Sequence, residues 1–340
     1  MQIKIIGHTP DKDMQFSQSG PWRHFLNEFL IRDFKLIDSD RISNKLDYLV
    51  LNSYSKKTLK MAKKFKLSSS KIVMVYWEPR ITNPLIYSHR IRNKFGKVLA
   101  PSIIWANKIN GDYFHWPQAN VSKKSESYDE WIKRDNVVVN VISNKFSPLT
   151  GENYSLRREV NKRFSAKYPN KIDLYGMFWN HGFIHDLTAY AKQLRKAKYG
   201  KFSFKSFRYM GVKYTNYQGS LVSKNNTVNK YRISLVIENS SDYVSEKLFD
   251  AISSQSIVIY VGPRLEVAKL NQELVVTAKP NYQSIEDQIN KILNMPAKTQ
   301  FKLMLKQQKI AKQLIVERVN TRVLGDLAKQ ISTYFLDKNE

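Results

Sequence analysis

Apolar runs the length of a strand, separated by polar or amphipathic stretches the length of a helix, recur along the whole chain. Ile3-Lys-Ile-Ile-Gly7 is a strand closed by glycine. Asp47–Asn52, Lys71–Trp77 and Lys97–Ala100 repeat the pattern, and helices are predicted from about Trp22 to Ile31 and from Lys56 to Phe65. A second series begins with the strand Asn136–Ile142. It continues with a helix from about Ser155 to Tyr168 and the strand Lys171–Gly176, which also closes on glycine. The strand around Ile233, the strand Ile257–Val261, a strand Glu273–Thr277 and a helix from about Ser284 to Leu293 follow. Strands that alternate with helices argue for parallel sheets. The polar stretch Asn120–Asn136 reads as a linker between the two series, and Thr299–Leu336 is helical in pattern. The predicted fold class is therefore α/β: two Rossmann-like domains facing a cleft, with a C-terminal helical tail. The expected boundaries are 1–125, 126–312 and 313–340.

At 340 residues and 42% hydrophobic content, the chain is long enough for two cores and too apolar for disorder. The absence of cysteine excludes disulfides, thiolate metal sites and cysteine nucleophiles, and it fits a reducing compartment. No apolar run approaches the ~18 residues of a membrane helix, and the N-terminus lacks the pattern of a signal peptide. The expectation is a soluble cytoplasmic protein. The net charge of +27, from 56 basic and 29 acidic side chains, has three readings: a lysine-rich surface, peripheral docking on an anionic membrane, or nucleic-acid binding. The lysines occur in every segment and no RNA-binding aromatic signature is present, so nucleic acid is the weakest of the three.

One segment carries chemistry. Tyr231–Pro263 reads as strand, short polar loop, helix, strand and glycine turn, with Glu246 and Lys247 side by side where the helix opens. A helix N-terminus offers unpaired N–H groups and partial positive charge to a diphosphate, and a lysine in the first turn adds a full charge. The ordinary alternative is a βαβ unit with a solvated Glu-Lys face. In the first series, Lys71–Trp77 runs into Glu78-Pro79, which places a carboxylate at the carboxyl end of a buried strand; Pro79 holds Glu78 extended. The ordinary alternative there is a pair between Glu78 and Arg80.

Residue identities in Tyr231–Pro263 resemble the signature of the α-1,3-fucosyltransferase family. The matching pieces are Tyr231-Arg232, Glu238-Asn239-Ser240, Asp242-Tyr243-Val244-Ser245-Glu246-Lys247 and the strand from Ile257 to Gly262. The loop before Tyr243 is about two residues shorter than is usual in that family. Ile237 stands where an aromatic residue is usual, and Val258 where proline is usual.

The resemblance implies an inverting glycosyltransferase of GT-B type that takes fucose from GDP-fucose to a hydroxyl of a saccharide acceptor, such as a lipopolysaccharide. It implies no cofactor and no metal, since Lys and Arg supply the positive charge. On this reading Lys247 neutralises the departing diphosphate, helped by Arg157 or its neighbour Arg158. Glu246 takes ribose or sugar hydroxyls, Asn239 bonds the donor, and Tyr243 packs on the base or ribose. Lys224 echoes a further donor-binding position, Glu238 ties down the loop, and Glu78 is the catalytic base. A transferase using another nucleotide sugar, and a basic nucleic-acid-binding protein without catalysis, are the alternatives.

Other groupings carry less. His181 and His185 have the spacing of a zinc helix but no acid between them. Asp11/Asp13 and Asp38/Asp40 read as solvated turns, and Trp116 as a core residue.

Overall fold

The computed structural model describes residues 2–6, 29–36, 47–51, 60, 62–76, 78–114, 126–221, 224–268, 270–317 and 320–338. Asp11, Asp13, Asp38, Asp40, Trp116 and most of the predicted helix from Trp22 lie outside them. The chain divides into two compact units, Met1–Pro117 with Glu317–Glu340, and Gln118–Val316.

The first unit is built on a six-stranded sheet of β1 (Gln2–Ile6), β2 (Lys35–Leu36), β3 (Tyr48–Leu51), β4 (Ile72–Val75), β5 (Lys97–Ala100) and β6 (Asp112–Tyr113). Their order is β2-β1-β3-β4-β5-β6, and every pairing is parallel. Alternate side chains serve opposite faces: Leu49, Leu51, Ile72 and Met74 enter one core, while Tyr48, Val50, Val73 and Val75 enter the other. A sheet buried on both sides needs apolar residues at every position, which is why these strands read as continuous apolar runs.

The second core also takes Leu327, Ala328, Ile331 and Phe335 of the helix Asn320–Leu336. Phe335 stacks on Tyr48 with ring centroids 4.3 Å apart. The C-terminal segment, expected as a separate tail over 313–340, therefore belongs to the first unit from Glu317 onward. Its apolar stripe is what binds it there.

The second unit carries β7 (Asp135–Val141), β8 (Ile172–Tyr175), β9 (Tyr217–Gly219), β10 (Tyr231–Ile237), β11 (Ile257–Val261) and β12 (Val276–Thr277). The order β12-β11-β10-β7-β8-β9 is again all parallel. It is the doubly wound arrangement in which the direction of strand addition reverses between β7 and β10. The helices that bear on function are α1 (Tyr154–Lys167), α2 (Phe183–Leu194), α3 (Glu246–Ser253), α4 (Tyr282–Leu293) and α5 (Ala297–Glu317). The predicted strand Glu273–Thr277 begins inside the 3-10 turn Gln272–Leu274, and β12 is reduced to two residues.

The supposed linker Asn120–Asn136 is structured where it is described. Ser127 and Glu130 form a reciprocal capping box at the start of the helix Tyr128–Trp131. Trp131 is fully buried and donates to the Gln255 carbonyl at 3.1 Å. Arg134 pairs with Glu126 at 2.5 Å and donates to the Ser254 carbonyl at 2.7 Å. Arg134 and Glu126 thereby secure the segment to the second unit.

Candidate functional site

The carboxyl ends of β7, β8 and β10 surround a cavity of about 410 Å³. It sits at the strand-order reversal, where open parallel sheets place their ligands. Val141, Ile142 and Ser143 line it from β7, Gly176 and Met177 from β8, and Asn239 from β10. Arg157 of α1, Glu246 and Lys247 of α3, Leu221 and Lys145 complete the wall.

Four predicted donor-site residues, Arg157, Asn239, Glu246 and Lys247, thus share one wall. The register question between the two arginines has a physical answer. Arg157 is 1% exposed; its Nε and Nη2 donate to the Ile237 carbonyl, and Nη2 also donates to Asn239 Oδ1 at 2.9 Å. Its Nη1 makes no hydrogen bond within the described residues. Burial holds its pKa below the usual arginine range, against the pull of Tyr154, Glu238, Glu152 and Glu246. Arg158 points elsewhere: its guanidinium donates to the carbonyls of Lys145, Ser206 and Arg208 and to Asn144 Oδ1, and it does not line the cavity.

The loop between β10 and α3 is held from below. Buried Glu238 accepts from Ser245 N at 2.8 Å and Ser245 Oγ at 2.6 Å, closing a seven-residue span. The expected structural role of Glu238 is what its contacts describe. Burial raises its pKa above the usual carboxylate range, although Lys247 and the bonds from Ser245 oppose the rise. Ser245 is also the N-cap of α3, with its hydroxyl accepting from Lys247 N.

Lys247 Nζ lies 2.9 Å from Glu246 Oε1 and 3.3 Å from Ser245 Oγ. Burial depresses its pKa and nearby Arg157 depresses it further, while Glu246 and Glu238 partly restore it. On the cavity wall three cations, Lys145, Arg157 and Lys247, face one carboxylate, Glu246, and that excess of positive charge suits an anionic ligand.

The remaining predicted residues stand differently. Tyr243 is half-buried and does not line the cavity. Lys224 begins the helix Lys224–Val228, but its side chain lies outside the described residues. Glu78 belongs to the first unit, three residues beyond β4, where the Tyr87 hydroxyl donates to its carbonyl at 2.7 Å. Arg80 stacks its guanidinium over Trp105, 4.5 Å from the ring centroid. His181 Nδ1 and His185 Nδ1 are 2.9 Å apart, and no group of three or more metal-ligating side chains occurs among the described residues.

The sequence reading missed Lys145, Ser143 and Met177. One signal was available: Gly176 ends a strand, has φ +134°, and a Cβ there would fall 1.9 Å from the Ile142 carbonyl oxygen. Only glycine lets β8 turn this closely against β7 at the cavity floor.

No family model matches the sequence, and no curated protein matches it. Solved structures do. HepE from Anabaena, in complex with UDP and glucose, is 11% identical, with 98% of this chain and 100% of that chain covered at a TM-score of 0.54. An α1,3-fucosyltransferase is 13% identical, covering 90% of this chain and 81% of that one at a TM-score of 0.51. An α,α-trehalose 6-phosphate synthase from Burkholderia multivorans is 10% identical, covering 88% and 74% at 0.52. The fold these likenesses define is that of the two-domain α/β glycosyltransferases of GT-B type.

Proposed function

We propose that the protein is an inverting glycosyltransferase that takes a sugar from a nucleoside-diphosphate donor to a saccharide hydroxyl. The observation that carries this is the convergence of Arg157 and Lys247 on one cavity at the strand-order reversal. Lys247 and the free Nη1 of Arg157 meet the diphosphate and stabilise it as it leaves, with the positive end of α3 behind them. Glu246, released from Lys247 by the competing phosphate, accepts from ribose or sugar hydroxyls. Asn239 bonds the donor, and Tyr243 and Lys224 remain assigned to it on the family resemblance. Glu78 takes the proton of the acceptor hydroxyl while that oxygen bonds to the anomeric carbon, the bond to the diphosphate breaks, and the configuration inverts.

GDP-fucose is the donor favoured by the ordered run from Glu238 to Lys247. Structural likeness to an α1,3-fucosyltransferase with GDP bound accords with it. A UDP-sugar is the second reading. The shorter loop before Tyr243 leaves room for it, and the likeness to HepE with UDP-glucose favours it. The test is release of nucleoside diphosphate from GDP-fucose and from UDP-glucose with a panel of saccharide acceptors, followed by NMR of the product anomer. Transfer from GDP-fucose with inversion is expected. Turnover of UDP-glucose alone would move the assignment to the second reading, and retention of configuration would remove Glu78 as the base.

A further inference from the structure

From Leu187 to Ile237 the chain contains no aspartate or glutamate, while eleven lysines and arginines fall in it. Even spacing of the chain's 29 acidic residues would place about four there. The first part of this stretch forms α2 and the loop after it. Helix α2 leaves Phe183, Ile184, Leu187 and Leu194 exposed, Ile184 by 80%. The loop adds Phe202, Phe204 and Phe207, with Phe204 70% exposed.

The three phenylalanines form one cluster that abuts α2. The rings of Phe202 and Phe204 meet edge-on at 4.5 Å, Phe204 and Phe207 lie 6.1 Å apart, and Phe207 packs on Tyr190 of α2 at 4.5 Å. Exposed Lys192, Arg195, Lys198, Lys201, Lys205 and Arg208 are interleaved with them. The nearest carboxylates are engaged elsewhere. Asp186 is buried and accepts from Gly211 N. Glu152 and Glu159 share a recess with Lys205 and Arg208, and they bond Ser155 and Arg163.

Single exposed apolar residues are ordinary, but a contiguous patch of them marks a binding surface. We infer that this face docks the protein on an anionic lipid bilayer. The phenylalanines and Ile184 enter the boundary between headgroups and acyl chains, and the lysines and arginines meet the lipid phosphates. Bases of a nucleic acid would stack on the rings but leave Ile184, Leu187 and Leu194 uncovered. The docked face adjoins the donor cavity. Met177 lines that cavity, and the ring of the next residue, Phe178, stacks on His185 of α2 at 6.3 Å.

The test is co-sedimentation of the full chain with phosphatidylcholine vesicles, with and without phosphatidylglycerol. Wild type should bind the anionic vesicles and barely the neutral ones. Lys198→Gln with Lys201→Gln and Lys205→Gln should weaken binding on the order of 100-fold, at about fivefold per charge. Ile184→Ser with Phe204→Ser should weaken it by about tenfold or more without changing the net charge. All five side chains are exposed, so unchanged thermal unfolding verifies the fold of each variant. Equal binding to both vesicle types, or binding indifferent to the apolar pair, overturns the inference. So does a concentration-dependent dimer that the apolar pair abolishes, or a nucleic acid that displaces the protein from vesicles at physiological salt.

Discussion

The two units are built alike and spend buried charge differently. Each has six parallel strands with apolar side chains on both faces. Among the described residues of the first unit, the buried polar side chains are Ser102 and Ser332. The second unit buries charge repeatedly, at Arg157, Arg158, Asp186, Glu238 and Glu286 among others. Holding a sheet together requires none of this, because removing a charge from water costs several kcal/mol before any partner offsets it. Even within the second unit burial alone does not mark a site. Every nitrogen of the Arg158 guanidinium donates to a carbonyl oxygen, and the side chain braces the loops after β7 and α2. Arg157 keeps Nη1 unbonded beside the cavity. The informative feature is buried charge with bonding capacity left over.

Four substitutions break or sharpen this contrast. Glu78→Gln should have the largest effect, a loss of about 10²–10⁴ in turnover, because an amide cannot accept the proton. GDP affinity, which the proposal assigns to the second unit, should stay near normal. A folded Glu78→Gln protein with near-normal transfer would place the base elsewhere. Lys247→Ala should cost about 10²–10³ in turnover and weaken GDP binding as well, since its contact exists before the reaction. Arg158→Ala should instead lower unfolding free energy by about 3 kcal/mol or more, by leaving the carbonyls it serves without donors. Chemical denaturation checks this, and any folded fraction should bind GDP normally.

The smallest effect is one of pH. Lys247 is charged below its pKa, and burial moves that pKa below the usual lysine range. GDP affinity should therefore fall as pH rises toward about 10, earlier than a free lysine would dictate. Lys247→Arg should flatten that limb in a calorimetric pH series, because a guanidinium remains protonated throughout.

The part of the cavity wall that comes from β10 and α3 was legible because it is local in sequence. The predicted strand, loop, helix and strand appear as β10, the span closed by Glu238 and Ser245, α3 and β11. One departure from the pattern of the resembled family has a packing reason. Val258 N–H donates to Gln307 Oε1 at 3.0 Å, a bond proline could not make. What was not legible depends on distant packing. Nothing within Asn320–Leu336 says that its apolar stripe lies on β3 and β4 of the first unit. The charged residues of 120–136 look solvated until Arg134 is seen bonded to Glu126 and Ser254. Scattered lysines hid the acid-free stretch from 187 to 237, because the signal there is a missing residue type rather than a dense block of a present one.

The central claim is that Arg157 and Lys247 form a diphosphate site at the carboxyl edge of the second sheet. Thermal and chemical unfolding with GDP and UDP, on wild type, Arg157→Ala and Lys247→Ala, tests it most directly. GDP at about 100 times its dissociation constant should stabilise wild type by about 2.7 kcal/mol. UDP at the same concentration should do less, and each variant should lose most of the stabilisation. If no nucleoside diphosphate stabilises wild type, or if both variants are stabilised as strongly, the cavity is not the donor site.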